Sequence, residues 1–455
     1  MCRRTVLGIV VTLAFATLSA NVPAMTLAEA FEAARAFDPQ FRAAAFELDS
    51  SRLGVPIARA GLLPQVSLNI STSAVTGNRQ FPNSTLQEVT TRVDYTAPQT
   101  SLSIRQPLFN YESLSRYRQA EAQTEVAESN YRARGLELVD RLSTAYIQAL
   151  LAVTALELAQ SEVVLLNAQV ARAEQRMLRG EGTRTEQAQA RAGLEQSRYR
   201  VIDATDQLAF AKNRLRRITG QEAGWVRGLS ADFRPAPLVP GGLQEWIGLA
   251  TDQNPTLESR LKTVTVARAN VQRNIAGHLP RVDLVASSSK SRNDSIANLN
   301  QTNNLTSLGV QISIPLFSGG GVSASVRQSE ADQARAEQDA RSERENLELE
   351  VQRLYMAVSN GVPRIDAQRN VVSANETALL GLTRAQETGL ATAVDVLDAR
   401  SRLFTANRDL VQVRYEYLAS RMRLMVVSGM PMQHVIDDLD QFLAVRTDLQ
   451  PRDTP

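Results

Sequence analysis

Two carboxylates three residues apart, Asp395 and Asp398, share one face of a predicted helix in this 455-residue chain. Where three copies of the chain bring these acids together as rings, the like charges resist joint ionisation, which would raise their pKa values and draw in cations. Thr392 precedes Asp395 by three residues, so a Thr-x-x-Asp capping box is a second role open to Asp395. Asp398 lies too far along the helix to cap it, and its plain alternative is solvated surface. A related pattern pairs Thr183 with Glu186, followed by Gln189, uncharged where Asp398 is charged. Gly180, Gly182 and Gly389 flank these positions and suit tight turns.

Little else in the chain is equipped for chemistry. Two histidines, His278 and His434, and one cysteine, Cys2, exclude zinc clusters, thiol catalysis and structural disulfides by count. His278 precedes Leu279-Pro280 at a helix-to-strand junction, a structural setting for a lone histidine. No nucleophile, base and orienting group recur with recognisable spacing, so neither an enzyme nor a cofactor or metal site is expected. The 50 basic and 48 acidic residues differ only by Arg3 and Arg4, which leaves 48 against 48 beyond them. Without a basic excess, nucleic acid is not an expected partner.

The elements that position the carboxylates follow from patterning. Arg3 and Arg4, the apolar run Val6 to Ala20 and Val22-Pro23-Ala24 form the layout of a secretory signal peptide, residues 1–24. No later stretch is expected to reach the length of a membrane-spanning helix. The chain then repeats. Asp38-Pro39 with Pro64 recurs as Asn254-Pro255 with Pro280, an offset of 216. Later matches settle at 209: Tyr146 with Tyr355, Gly180 with Gly389, Arg191 with Arg400, Leu215 with Leu424, Gly220 with Gly429. The expected division is a first repeat, 25–219, a Pro/Gly-rich link, 220–242, a second repeat, 243–429, and a tail without clear periodicity, 430–455.

Each repeat reads as long helix with two short strands. From Glu112 to Arg179 there is no proline, and at 1.5 Å per residue such a helix runs roughly 100 Å. Leu194, Val201, Leu208 and Leu215 recur every seven residues, as do Val396, Leu403, Leu410, Tyr417 and Leu424. Seven-residue recurrence predicts coiled-coil hairpins. The returning helix is too short to cover its partner, so the helix from Gln40 to Gly61 is expected to stack end to end with it. Strands are predicted where Val66, Leu68 and Ile70, Leu102 and Ile104, Val282 and Leu284, and Leu308, Val310 and Ile312 alternate with polar residues. Gly77 to Pro98 and Lys290 to Asn304 read as long exposed loops.

Four strands with one apolar and one polar face suit an outer-membrane barrel, yet four cannot close one. Subunits must therefore pool their strands: two copies would give eight, with an interior filled by side chains, and three would give twelve, enough for a pore, with three the preferred number. The fold class is mainly α with a small β part: long coiled-coil α-hairpins and four strands per subunit, joined in an oligomeric tube.

This order of elements resembles the TolC family of outer-membrane channels. The stretch Thr388-Gly389-Leu390-Ala391-Thr392-Ala393-Val394-Asp395-Val396-Leu397-Asp398-Ala399 is similar to the family's second tip motif, and the resemblance runs from about residue 25 to 430. Phe37-Asp38-Pro39-Gln40-Phe41-Arg42-Ala43-Ala44 resembles the branch serving type I protein secretion. The resemblance implies a homotrimer, with a 12-stranded trimeric β-barrel in outer-membrane lipid and the coiled-coil α-hairpins forming a periplasmic α-barrel. Its implied partners are a periplasmic membrane-fusion adaptor and an inner-membrane ABC transporter or other efflux pump. Asp395 and Asp398, with Glu186 and Gln189 as first-repeat counterparts, would form the periplasmic entrance. Gly180, Gly182, Thr183, Gly389 and Thr392 would meet the adaptor. The tyrosine and arginine that close the entrance in familiar members are replaced by Gln386 and Ala391, which leaves Arg184 or Arg179 as substitutes. Small-molecule efflux through the same duct, and a periplasmic coiled-coil scaffold without a pore, are the alternatives.

Overall fold

A computed structural model describes residues 25–82, 87–222, 225–229, 233–293 and 301–448. The expected signal peptide, 1–24, lies outside them. Helix α1 (Leu27–Phe37) starts with a capping box in which Glu29 N–H donates to Thr26 Oγ1 at 3.1 Å and Thr26 N–H donates back to Glu29. Asp38 ends α1 and caps α2 (Pro39–Ala60), where Pro39 occupies the first turn that tolerates a missing N–H. Then come β1 (Gln65–Pro82), β2 (Glu88–Phe109), the long α3 (Tyr111–Leu178) and its return α4 (Arg184–Thr219). The series recurs as α5 (Leu243–Gln253), α6 (Pro255–Ile275), β4 (Arg281–Asn293), β5 (Gln301–Ser313), α7 (Gly321–Glu387) and α8 (Ala393–Val427), with β3 (Trp225–Leu229) between the two series.

Coil packing follows the seven-residue rows. Leu194, Leu208 and Leu215 of α4 are buried, as are Val396, Leu410, Tyr417 and Leu424 of α8. Burying one such side chain contributes about 1.5–3 kcal/mol, so the rows are the main adhesive of each hairpin. The expected end-to-end stacking is present in both halves. Gly220, which ends α4 with φ +72°, leaves room for Phe37, whose Cγ would lie 2.5 Å from a Cβ at that position. Gly429, φ +74°, abuts the backbone of Gln253 and Asn254 in the same way. α3 holds one stretch of mean hydropathy 1.7, long and apolar enough by composition to cross a membrane, contrary to expectation. Here Leu138, Leu142, Tyr146, Leu150 and Leu156 of that helix are buried in the core, so the stretch serves packing.

The strands form one antiparallel sheet in the order β1-β2-β4-β5, with β1 and β5 as edges. Its register aligns Val66, Ile104, Ala286 and Leu308 in one row and Ser67, Ser103, Ser287 and Ser307 in the next. Adjacent rows face opposite sides, so one face is apolar and the other lined by hydroxyls. Two serine pairs in that row are hydrogen-bonded, Ser67 to Ser103 at 2.6 Å and Ser287 to Ser307 at 2.8 Å. Residues 83–86 and 294–300 of the segments expected as loops lie outside the described residues, and the described remainder is mostly strand: β1 pairs with β2 from Gln65 with Arg105 out to Pro82 with Glu88. Backbone pairing needs no apolar face, and Thr, Val and Tyr carry it through the polar stretch.

The link and the tail also depart from expectation. β3, inside the link, pairs with β6 (Leu443–Asp448) of the tail, while α9 (Met432–Asp440) packs beneath. Buried Arg421 of α8 fastens both, donating through Nε and Nη2 to Asp438 at 2.8 Å each and through Nη1 to Ala236 O at 2.9 Å. Strands of five or six residues leave almost no local signature, and their partner lies over two hundred positions away.

Candidate functional site at the coiled-coil tips

Each hairpin turns by the same device. Glu181 N–H donates to Arg176 O at 2.9 Å and Gly180 N–H to Met177 O at 3.0 Å; at the second tip Leu390 N–H donates to Ala385 O at 2.8 Å and Gly389 N–H to Gln386 O at 3.1 Å. This double bond closes the last helical turn and requires a left-handed residue, supplied by Gly180 at φ +76° and Gly389 at φ +77°. Gly182 lets the chain pass close, since a Cβ there would lie 3.2 Å from Met177 N.

The return helices then start on threonine caps. Glu186 N–H donates to Thr183 Oγ1 at 3.2 Å, and Thr183 N–H donates to Glu186 Oε2 at 3.1 Å. Asp395 N–H donates to Thr392 Oγ1 at 3.2 Å, while Asp395 Oδ2 accepts from Thr392 N–H at 2.8 Å and from its hydroxyl at 2.6 Å. Within the subunit Asp395 is therefore a capping residue. Within one subunit the Thr392 hydroxyl and then its N–H hold the Asp395 carboxyl below the usual carboxylate range. The reason is local: hydrogen bonds to the charged form favour it. Asp398 pairs instead with Arg402 at 2.9 Å, one turn along the same helix, with both side chains largely in solvent.

The four entrance candidates are not gathered at one point of the subunit. Glu186 and Gln189 line a cavity of about 420 Å³ between the two hairpins, together with Gln386. Asp398 lines an adjoining groove with Leu165, Leu397 and Phe404. Asp395 lines neither. The proposed substitutes Arg179 and Arg184 also stay outside the cavity, whereas Arg172, Arg176 and Arg400 enter it. Sequence reasoning passed over these three arginines. The available signal was the 209-residue offset, which places Arg400 on Arg191 and Thr383 on Glu174.

Among the described residues no cluster of His, Cys, Asp or Glu is arranged to hold a metal ion. The tips thus offer cavities, exposed caps and charge, on long rigid supports.

A family model described as outer membrane efflux protein matches residues 30–221 and 246–430. The alkaline protease secretion protein AprF of Pseudomonas aeruginosa is 32% identical over 425 residues, covering 92% of this chain and 86% of that protein. The proteases secretion protein PrtF of Dickeya chrysanthemi is 31% identical over 429 residues, covering 93% and 92%. Among solved structures, the outer membrane protein VceC from Vibrio cholerae superposes with a TM-score of 0.77 at 19% identity, covering 89% of this chain and 96% of that one, a likeness of fold.

Proposed function

The chain belongs to the outer membrane efflux protein family, and from that premise we propose that it is the outer-membrane exit duct of a type I protein secretion system. The observation that carries this reading is the pair of protease-secretion relatives above 30% identity along more than nine-tenths of the chain. The sheet fits it physically. β1 and β5 leave two open edges, which hydrocarbon does not tolerate, and the apolar row suits lipid while the serine row suits a water-filled lumen. Three subunits would close twelve strands, with the two repeats of each contributing two rods to a periplasmic tube.

In this reading a periplasmic adaptor meets the turns at Gly180, Gly182, Thr183, Gly389 and Thr392, and an inner-membrane ABC transporter feeds the duct. The duct itself is a conduit without catalysis. Asp395 and Asp398 would recur as rings around a three-fold axis. Because its capping bonds favour the ionised form, Asp395 carries charge at neutral pH, and a ring of such carboxylates selects cations.

Two measurements test this. In a strain lacking its own duct, the chain should assemble as a detergent-extractable outer-membrane trimer and restore secretion of a type I cargo when the cognate adaptor and transporter are co-expressed. A trimer that restores drug tolerance but no protein export would move the assignment to small-molecule efflux, and a soluble periplasmic protein would leave only a scaffold. In planar bilayers, Asp395→Ala/Asp398→Ala should lower cation preference and relieve block by multivalent cations; unchanged values would remove the ring role.

A further inference from the structure

The duplicated tips differ in one charge. In the first hairpin Arg191 donates to Glu174 at 2.8 Å and ties α4 to α3. The corresponding pair in the second hairpin is Arg400 with Thr383, so the acid is missing. Arg400 instead enters the cavity between the hairpins, where Arg172 of α3 also stands. Its Nε is buried without a hydrogen-bond partner. Burial, and then the like charge of Arg172, push the Arg400 guanidinium below its ordinary value. Three acids, Glu181, Glu186 and Glu387, also line the cavity; Glu186 accepts from Thr183, Arg176 donates to Glu181 O at 3.3 Å, and no acid is among the groups that act on Arg400. Two cations thus converge on a space of about 420 Å³, large enough for more than an ion.

We propose that Arg172 and Arg400 form a carboxylate-binding site whose occupant bridges the two hairpins and fastens the second to the first. Guanidinium groups present planar forks that match a carboxylate, and one anion between them replaces repulsion with two charge-assisted contacts. Val394 and Leu397 line the same cavity and suit the aliphatic part of such a ligand. The lining residues all belong to one subunit, so the site stands whether or not the duct assignment does. The carboxylate is free in solution or carried on an acidic side chain of another polypeptide.

The test uses the purified full chain in detergent, comparing its unfolding temperature in sodium chloride and in sodium succinate at equal ionic strength. A third arm adds an alanine-based helical peptide with one glutamate, against its glutamine counterpart. Succinate or the glutamate peptide should raise the unfolding temperature by about 1–2 °C, the response of a chain this long to ligand at roughly ten times its dissociation constant. Arg400→Gln should abolish the rise. Thr383→Glu, which supplies Arg400 with the acid that Arg191 has, should match the wild type in stability without added ligand and also abolish the rise; this variant guards against mere misfolding. A rise with succinate assigns a free carboxylate, and a rise with the peptide alone assigns a side chain. No rise with either, or a rise that persists in Arg400→Gln, overturns the site.

Discussion

Helices α3 and α7 are almost equal in length, 68 and 67 residues, yet they are covered very differently. α3 lies against α2, α4, α6 and α8 and is buried through most of its middle, from Leu136 to Leu156. α7 buries chiefly Leu347, Val351, Leu354, Val358 and Ile365, and leaves Leu349, Met356, Val371 and Leu380 in solvent. The same contrast holds in the charges. The first junction buries Asp38, which accepts from Arg141 at 3.0 and 3.2 Å and from Phe41 N–H at 2.8 Å. The second has Asn254, whose amide donates to Val427 O at 2.8 Å. The first tip has Glu174 for Arg191, and the second leaves Arg400 without an acid. The two halves share their shape and differ at these ionic ties.

The sharpest way to break this contrast is Arg141→Met. It strands the buried Asp38 carboxylate, so the detergent-solubilised protein should lose on the order of 3–5 kcal/mol, read as a large drop in unfolding temperature. Asn254→Ala at the other junction removes a cap and should cost about 1 kcal/mol. Equal losses would show that the junctions are not differently held. Next in size is Gly220→Ala. A left-handed alanine costs roughly 1–2 kcal/mol, and its Cβ would also collide with Phe37. Gly389→Ala meets no neighbour and should show the backbone cost alone. Thr183→Ala and Thr392→Ala should each cost about 1 kcal/mol as lost caps. The loss at Thr392 should also let the Asp395 carboxyl return toward its ordinary pKa, which NMR titration would follow.

The smallest effect is the acid response of the first junction. Burial alone would raise the Asp38 carboxyl, but the Arg141 bonds and the Phe41 N–H outweigh it and hold the carboxyl below its ordinary value. A lowered folded-state value contributes stability in full above the unfolded pKa, near 3.9, and loses it as pH falls through the folded value. Asp38→Asn should therefore flatten the fall in unfolding temperature below about pH 4. An unchanged acid profile would show that Asp38 does not drive it.

Much of this was readable from residues alone because the interactions involved are local. Thr183 with Glu186 and Thr392 with Asp395 are caps within one turn, Gly180 and Gly389 are turns, and the seven-residue rows of α4 and α8 repeat along a single helix. The mainly helical fold follows from the same short-range rules. Tertiary structure alone decided the rest. β3 finds β6 across the chain, the strands run on through polar residues, and Arg400 shares a cavity with Arg172. These outcomes depend on which distant groups share a space, and neither charge nor hydrogen-bond satisfaction can be assigned to a residue before its neighbours in three dimensions are known.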